Sequence, residues 1–235
     1  MKRIDFRIVI GAMLILGGVL ALLETLGYLK DASDLCWSGV FLVSGLAFLA
    51  LLFGGNWWAA FPGFTLAALG VLILLPSSLE NFRGVFFLGS IALSFWYVYF
   101  TSRSERWWAL IPAGVLTALA LVVVVSESFE EYSGAVFLGG IGLAFFAVYF
   151  TSTTDRWWAL IPAGVLSTLA GVTVAAERFG EFQTAGFFFF GLAFTFLLVA
   201  LLAKMRWAYW PALILGIMGF LGIASLLDFA NYVWA

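Results

Sequence analysis

The side chains best suited to chemistry in this chain are carboxylates that recur in one setting. Glu24 with Tyr28, Glu80 with Phe82, Glu127 with Phe129, Glu177 with Phe179 and Asp228 with Phe229 each stand at the end of an apolar run beside an aromatic ring. A row of acids on one face could collect cations or dock a basic partner by complementary charge. The preferred reading is that it is the counterpart of basic residues gathered on the opposite face of a membrane. The groups that usually work with carboxylates are missing. There is no His, and the single Cys36 excludes an internal disulfide and a CxxC metal site. Paired intramembrane carboxylates, Ser–His or Ser–Lys dyads, an HExxH helix and a phosphate-cradling glycine loop are absent too. The expectation is a protein that is not an enzyme and carries neither metal nor cofactor.

The second feature is a repeated segment. RWWALIPAGVL occupies 106–116 and recurs letter for letter at 156–166. Trp57, Trp107, Trp157 and Trp207 lie fifty residues apart, and each is followed by a proline: Pro62, Pro112, Pro162 and Pro211. Between 101–125 and 151–175, 17 of 25 positions are identical, which indicates duplication rather than convergence on an apolar composition. Such a segment could be a repeated ligand-binding kink or an anchor at a helix start. As an anchor, Arg106 and Arg156 lie at the headgroups, and Trp107, Trp108, Trp157 and Trp158 sit in the interfacial belt where amphipathic rings are most stable. A proline in the first turn costs little, because the backbone N–H groups there lack intrahelical acceptors. The anchor reading is preferred, since several copies of one binding site would require an array of ligands.

These residues must be positioned by membrane helices. The chain of 235 residues is 64% hydrophobic and 10% charged, with a mean hydropathy of +1.11, 26 Phe and 11 Trp. A soluble domain is nearer half apolar and a quarter charged. Runs of roughly 17 to 20 apolar residues suffice to cross the hydrocarbon core. Nine such runs are expected, at 7–24, 35–53, 57–75, 84–100, 107–125, 135–150, 157–176, 184–202 and 207–227. Open strands would leave backbone groups unpaired in lipid, and the alternation of an outer-membrane barrel is missing, so the fold class is all-α integral membrane. MKRIDFR precedes the first run, but no small-residue cleavage motif follows, so a span rather than a removed signal is expected. The fifty-residue period makes one transmembrane domain over 1–235 out of helical hairpins, 7–53, 57–100, 107–150 and 157–202, with a half-unit at 207–227. The second helices share a signature: Gly45-Leu-Ala-Phe48, Ala92-Leu-Ser-Phe95, Gly142-Leu-Ala-Phe145 and Gly191-Leu-Ala-Phe194.

Charge orients the chain. Lys2, Arg3, Arg7, Arg103, Arg106, Arg156, Lys204 and Arg206 fall on one side, here face A; only Lys30, Arg83 and Arg178 fall on face B, which holds ten of the thirteen acids. The positive-inside rule makes face A cytoplasmic, and nine spans then put the C-terminus outside. The net charge of −2 and the dispersed basic residues give no sign of a nucleic-acid partner. No ionisable residue stands at the middle of a span, which argues against proton relays, ion paths and intramembrane catalysis. Ser90 and Ser94, Gly140 and Ala144, and Gly191 and Thr195 are small-xxx-small pairs, suited to close helix packing within the bundle or between subunits. The Phe187–Phe190 run could line a pocket for a lipid, quinone or carotenoid, or simply face lipid.

The first hairpin, IGAMLILGGVLALLETLGYL with its hydrophobic return, resembles the transmembrane hairpins of bacterial Lia-type membrane proteins. The WWALIPAGVL hairpins resemble those of multi-span bacterial proteins of unknown function, and the chain has more spans than the Lia-type pattern. The resemblance implies a bacterial cytoplasmic-membrane protein engaged in envelope-stress regulation or in scaffolding partners. Three functions are therefore carried forward. They are a non-enzymatic scaffold or accessory subunit bound to other membrane protein subunits, a binder or transporter of an apolar small molecule, and a regulator of envelope stress.

Overall fold

A computed structural model describes residues 6–28, 32–126, 129–179 and 181–233, with side chains for 11–28, 32–126, 129–176 and 184–223. Its described elements are helical: α1 Phe6–Thr25, α2 Ser33–Leu52, α3 Ala60–Leu74, α4 Arg83–Thr101, α5 Leu110–Ser126, α6 Ser133–Thr151, α7 Leu160–Phe179, α8 Glu181–Leu202 and α9 Tyr209–Val233. Eight helical segments among the described residues are long and apolar enough to cross a bilayer, and α1 supplies a shorter apolar stretch, Gly11–Thr25. The chain is a multi-pass membrane protein.

The prolines explain how four of these helices begin. Pro62, Pro112, Pro162 and Pro211 are each the third residue of an α-helix, and each helix is preceded by a 3-10 turn: Trp57–Ala59, Trp107–Ala109, Trp157–Ala159 and Arg206–Ala208. In regular α geometry the pyrrolidine ring would meet the carbonyl four residues earlier, at Trp58, Trp108, Trp158 or Trp207. Winding that stretch as 3-10 moves the carbonyl aside and satisfies the backbone with shorter bonds, such as Ala109 N–H to Arg106 O at 3.1 Å. The alanine closing each turn, Ala59, Ala109, Ala159 or Ala208, is fully buried.

Two helices outrun the expected spans. α7 continues to Phe179 and α9 to Val233, so Glu177 and Asp228 belong to the helices rather than to turns beyond them. Neither 172–179 nor 223–233 contains a Gly or Pro to stop the helix.

The chain forms two compact units, Met1–Arg103 and Ser104–Ala235. In the first, α2 packs on α3 and α3 on α4, while α1 rests lightly on α2. In the second, α5 to α9 pack each on the next in chain order. Small residues set the helix spacing. A Cβ on Gly45 of α2 would stand 2.5 Å from the Ala67 nitrogen of α3, and one on Gly140 of α6 would stand 2.5 Å from Ala118 Cβ of α5. Gly114 of α5 meets Ala144 of α6, and Gly164 and Thr168 of α7 meet Thr195 and Gly191 of α8. Both small pairs, Gly140 with Ala144 and Gly191 with Thr195, therefore close helix contacts inside the chain.

Candidate functional site

At face A, the start of one span is tied to the end of another by rings and a guanidinium. The Arg156 Cζ lies 4.6 Å from the centroid of the Trp107 ring, and its Nη1 donates to Thr151 Oγ1 at 2.5 Å. Trp107 meets Trp158 edge-on at 6.3 Å, and Trp158 meets Phe145 of α6 edge-on at 6.3 Å. Thus Arg156, Trp107 and Trp158, singled out separately in the sequence, form one cluster joining α5, α6 and α7. A cation over an indole contributes about 0.5 to 2 kcal/mol, and each aromatic pair about 0.5 to 1.5 kcal/mol. The same ring contact recurs elsewhere: Phe48 of α2 on Trp58 at 6.2 Å, and Phe196 of α8 on Trp207 at 6.1 Å. Trp57 instead packs edge-on against Phe61, one turn further along.

These contacts correct the signature assigned to the last second helix. In α4 and α6 the pattern is a buried small residue, an exposed Leu, a buried small residue and a Phe: Ala92, Leu93, Ser94, Phe95 and Gly142, Leu143, Ala144, Phe145. In α8 that pattern falls on Ala193, Phe194, Thr195 and Phe196, with Phe194 59% exposed and Phe196 on the tryptophan. Gly191-Leu-Ala-Phe194 is therefore two residues out of register with Gly142-Leu-Ala-Phe145. The letters matched, but the burial and the ring contact follow Phe196.

On face B the acids have separate fates. Glu24, in the last turn of α1, accepts hydrogen bonds from Ser33 Oγ at 2.7 Å on one carboxylate oxygen and from Trp37 Nε1 at 2.7 Å on the other. Ser33 and Trp37 lie one turn apart on the same face of α2, so the carboxylate clasps the first hairpin. Sequence reading missed both partners, although Ser and Trp spaced i, i+4 opposite a carboxylate are the signal. Glu80 is exposed in the 3-10 turn Ser77–Phe82. Arg83, at the start of α4, donates from Nη2 to Leu75 O at 3.1 Å, capping the end of α3. Glu127 lies outside the described residues, and of the five carboxylates singled out beside aromatic rings only Glu24 and Glu80 have described side chains. No cluster of three metal-ligating side chains occurs among the described residues.

Two apolar grooves open on the helix surfaces. The first, about 280 Å³, is lined by Met13, Gly17, Trp37, Phe41, Ser44, Phe48 and Leu66 of α1, α2 and α3, among others. The second, about 420 Å³, lies between α8 and α9 and is lined by Phe190, Ala193, Phe194, Leu197, Tyr209, Ala212 and Leu213. Of the Phe187–Phe190 run, Phe190 reaches this groove, and Phe187 is 44% exposed.

No family model matches the chain, and neither a curated protein nor a solved structure matches it.

Proposed function

We propose that this protein is a non-enzymatic scaffold or accessory subunit of a membrane protein complex in the bacterial cytoplasmic membrane. The observation that carries the reading is where the polar chemistry goes. Glu24 closes a hairpin, Arg83 caps a helix and Arg156 packs on an indole, each at a helix end and each engaged in holding helices together. Charged groups so placed maintain a shape rather than act on a substrate. The chain would be built from repeated hairpins of about fifty residues, with face A and the N-terminus cytoplasmic and the C-terminus outside. Purification from the native source in a gentle detergent, followed by mass spectrometry, tests it. A second membrane protein at fixed stoichiometry, which in turn retrieves this chain when it carries the tag, is expected. A chain recovered alone would overturn the reading.

The second reading, binding of an apolar small molecule such as a lipid, quinone or pigment, is favoured by the two apolar grooves. It expects a stoichiometric apolar compound to be extracted from the same preparation.

A further inference from the structure

The α8–α9 groove differs from the other in what surrounds its mouth. At the α1–α2 groove, the lining Trp37 is bonded to a carboxylate, Glu24. At the α8–α9 groove, the charged side chains nearest along the chain to the lining, among the described residues, are Lys204 and Arg206. Along α9, the lining residues Tyr209, Ala212 and Leu213 continue a face whose preceding member is Arg206. Arg206 stands three residues before Tyr209, and in the 3-10 turn that joins them residues at that spacing eclipse one another. Along α8, Phe190, Phe194, Leu197 and Leu201 make an exposed apolar stripe that ends at the 203–205 turn, where Lys204 is exposed. Neither the Lys204 nor the Arg206 side chain has a hydrogen bond, ion pair or ring contact among the described residues.

The turn is arranged unusually. Lys204 holds φ at +57°, the only non-glycine residue with positive φ among those described; the α2–α3 turn uses Gly55, at +83°, for such a conformation. Left-handed backbone costs a side-chain-bearing residue about 1 to 2 kcal/mol. The structure keeps a lysine where glycine would fit more easily.

We infer that the α8–α9 groove seats an acyl chain of an anionic phospholipid whose phosphate is held by Lys204 and Arg206. The charge selects the occupant. Two free cations at headgroup depth, above an apolar slot opening sideways to the bilayer, complement a lipid with a negative headgroup and a long chain; basic pockets between helix ends recognise such lipids. A zwitterionic lipid brings its own cation and gains less. The inference does not depend on the scaffold reading.

The test uses the full chain, stripped of lipid in detergent and offered equal amounts of phosphatidylglycerol and phosphatidylcholine with identical acyl chains. Native mass spectrometry counts the lipid retained. Preferential retention of phosphatidylglycerol is expected, falling roughly fivefold for Lys204→Gln or Arg206→Gln and about 25-fold for both together. Lys204→Gly separates folding from binding: glycine relaxes the turn, so the thermal midpoint holds or rises while the preference still falls. Ala212→Phe fills the groove and lowers retention of either lipid. Equal retention of the two lipids by the unmodified chain would overturn the inference. So would a preference that survives the double substitution, or retention unchanged by Ala212→Phe. Inorganic phosphate that displaces the lipid while Ala212→Phe has no effect would mark a simple ion site and also refute it.

Discussion

Removing the Arg156 guanidinium should weaken the junction of α5, α6 and α7 by an amount that divides between two partners. The cation lies 4.6 Å from the Trp107 centroid and is half-buried, which is worth about 1 kcal/mol. Its hydrogen bond to Thr151 Oγ1 contributes about 1 kcal/mol more. Arg156→Ala should therefore cost about 2 kcal/mol in reversible unfolding by SDS in mixed micelles. A double-mutant cycle apportions the loss. Arg156→Ala with Trp107→Leu should show a coupling of about 1 kcal/mol, and Arg156→Ala with Thr151→Val a similar coupling, whereas Arg156→Ala with Thr173→Ala, several turns further along α7 and distant from the cluster, should add within about 0.3 kcal/mol. Arg156→Lys keeps the charge but loses the planar group that lies over the ring, and should recover only part of the Trp107 coupling. The reasoning fails if the Arg156–Trp107 coupling is indistinguishable from that of the distant pair, since the arginine would then act only as a headgroup anchor.

Other substitutions check the packing and the topology. Phe196→Ala should destabilise by about 3 kcal/mol through loss of the ring on Trp207, and Phe194→Ala, at a lipid-exposed position, by less than about 1 kcal/mol; the opposite order would restore the Gly191-to-Phe194 register. Gly140→Leu should force α5 and α6 apart at a cost of about 1 to 3 kcal/mol, while Gly134→Leu, with nothing within 4 Å of the added Cβ, should be tolerated; equal effects would refute the close approach. In a Cys36→Ala background, Ser78→Cys should react with an impermeant maleimide on intact cells and Ser104→Cys only after permeabilisation, both positions being exposed; the reverse result would invert the proposed orientation.

Most of the fold was legible because a bilayer leaves so few choices. Length and apolarity located the helices, and the Trp-to-Pro spacing located four of their starts, since proline acts on the backbone within one turn. Glu24 was legible as an exit residue but not as a clasp, because its partners Ser33 and Trp37 belong to the next helix and the pairing depends on how the hairpin closes. The Arg156–Trp107 contact was hidden for the same reason: it joins residues about fifty positions apart whose types were equally compatible with separate anchoring at the interface. The register of α8 was misread because Gly-Leu-Ala-Phe recurs as letters. What fixes the register is which small residue faces Gly164, and that is a property of two helices together.

The last turn shows how a departure from pattern can carry specificity. Of the four 3-10 turns that precede a proline-bearing helix, three open on tryptophan, at Trp57, Trp107 and Trp157, and the fourth opens on Arg206. In the first three, the leading position offers a ring, and at Trp107 that ring receives a guanidinium from elsewhere in the chain. In the fourth the leading position is itself the cation, so it has no such ring beneath it and stands exposed. Lys204, two residues earlier in a backbone conformation that favours glycine, adds a second charge at the same end. Neither change improves helix packing: an exposed arginine replaces an interfacial ring, and a lysine occupies a strained turn. Their common consequence is a concentration of positive charge at the only one of the two described apolar grooves whose mouth has no carboxylate bonded to its lining. Strain and exposed charge kept together in this way are accounted for by a negatively charged ligand, which is why the anionic-lipid experiment, rather than a stability measurement, is the decisive test of this end of the molecule.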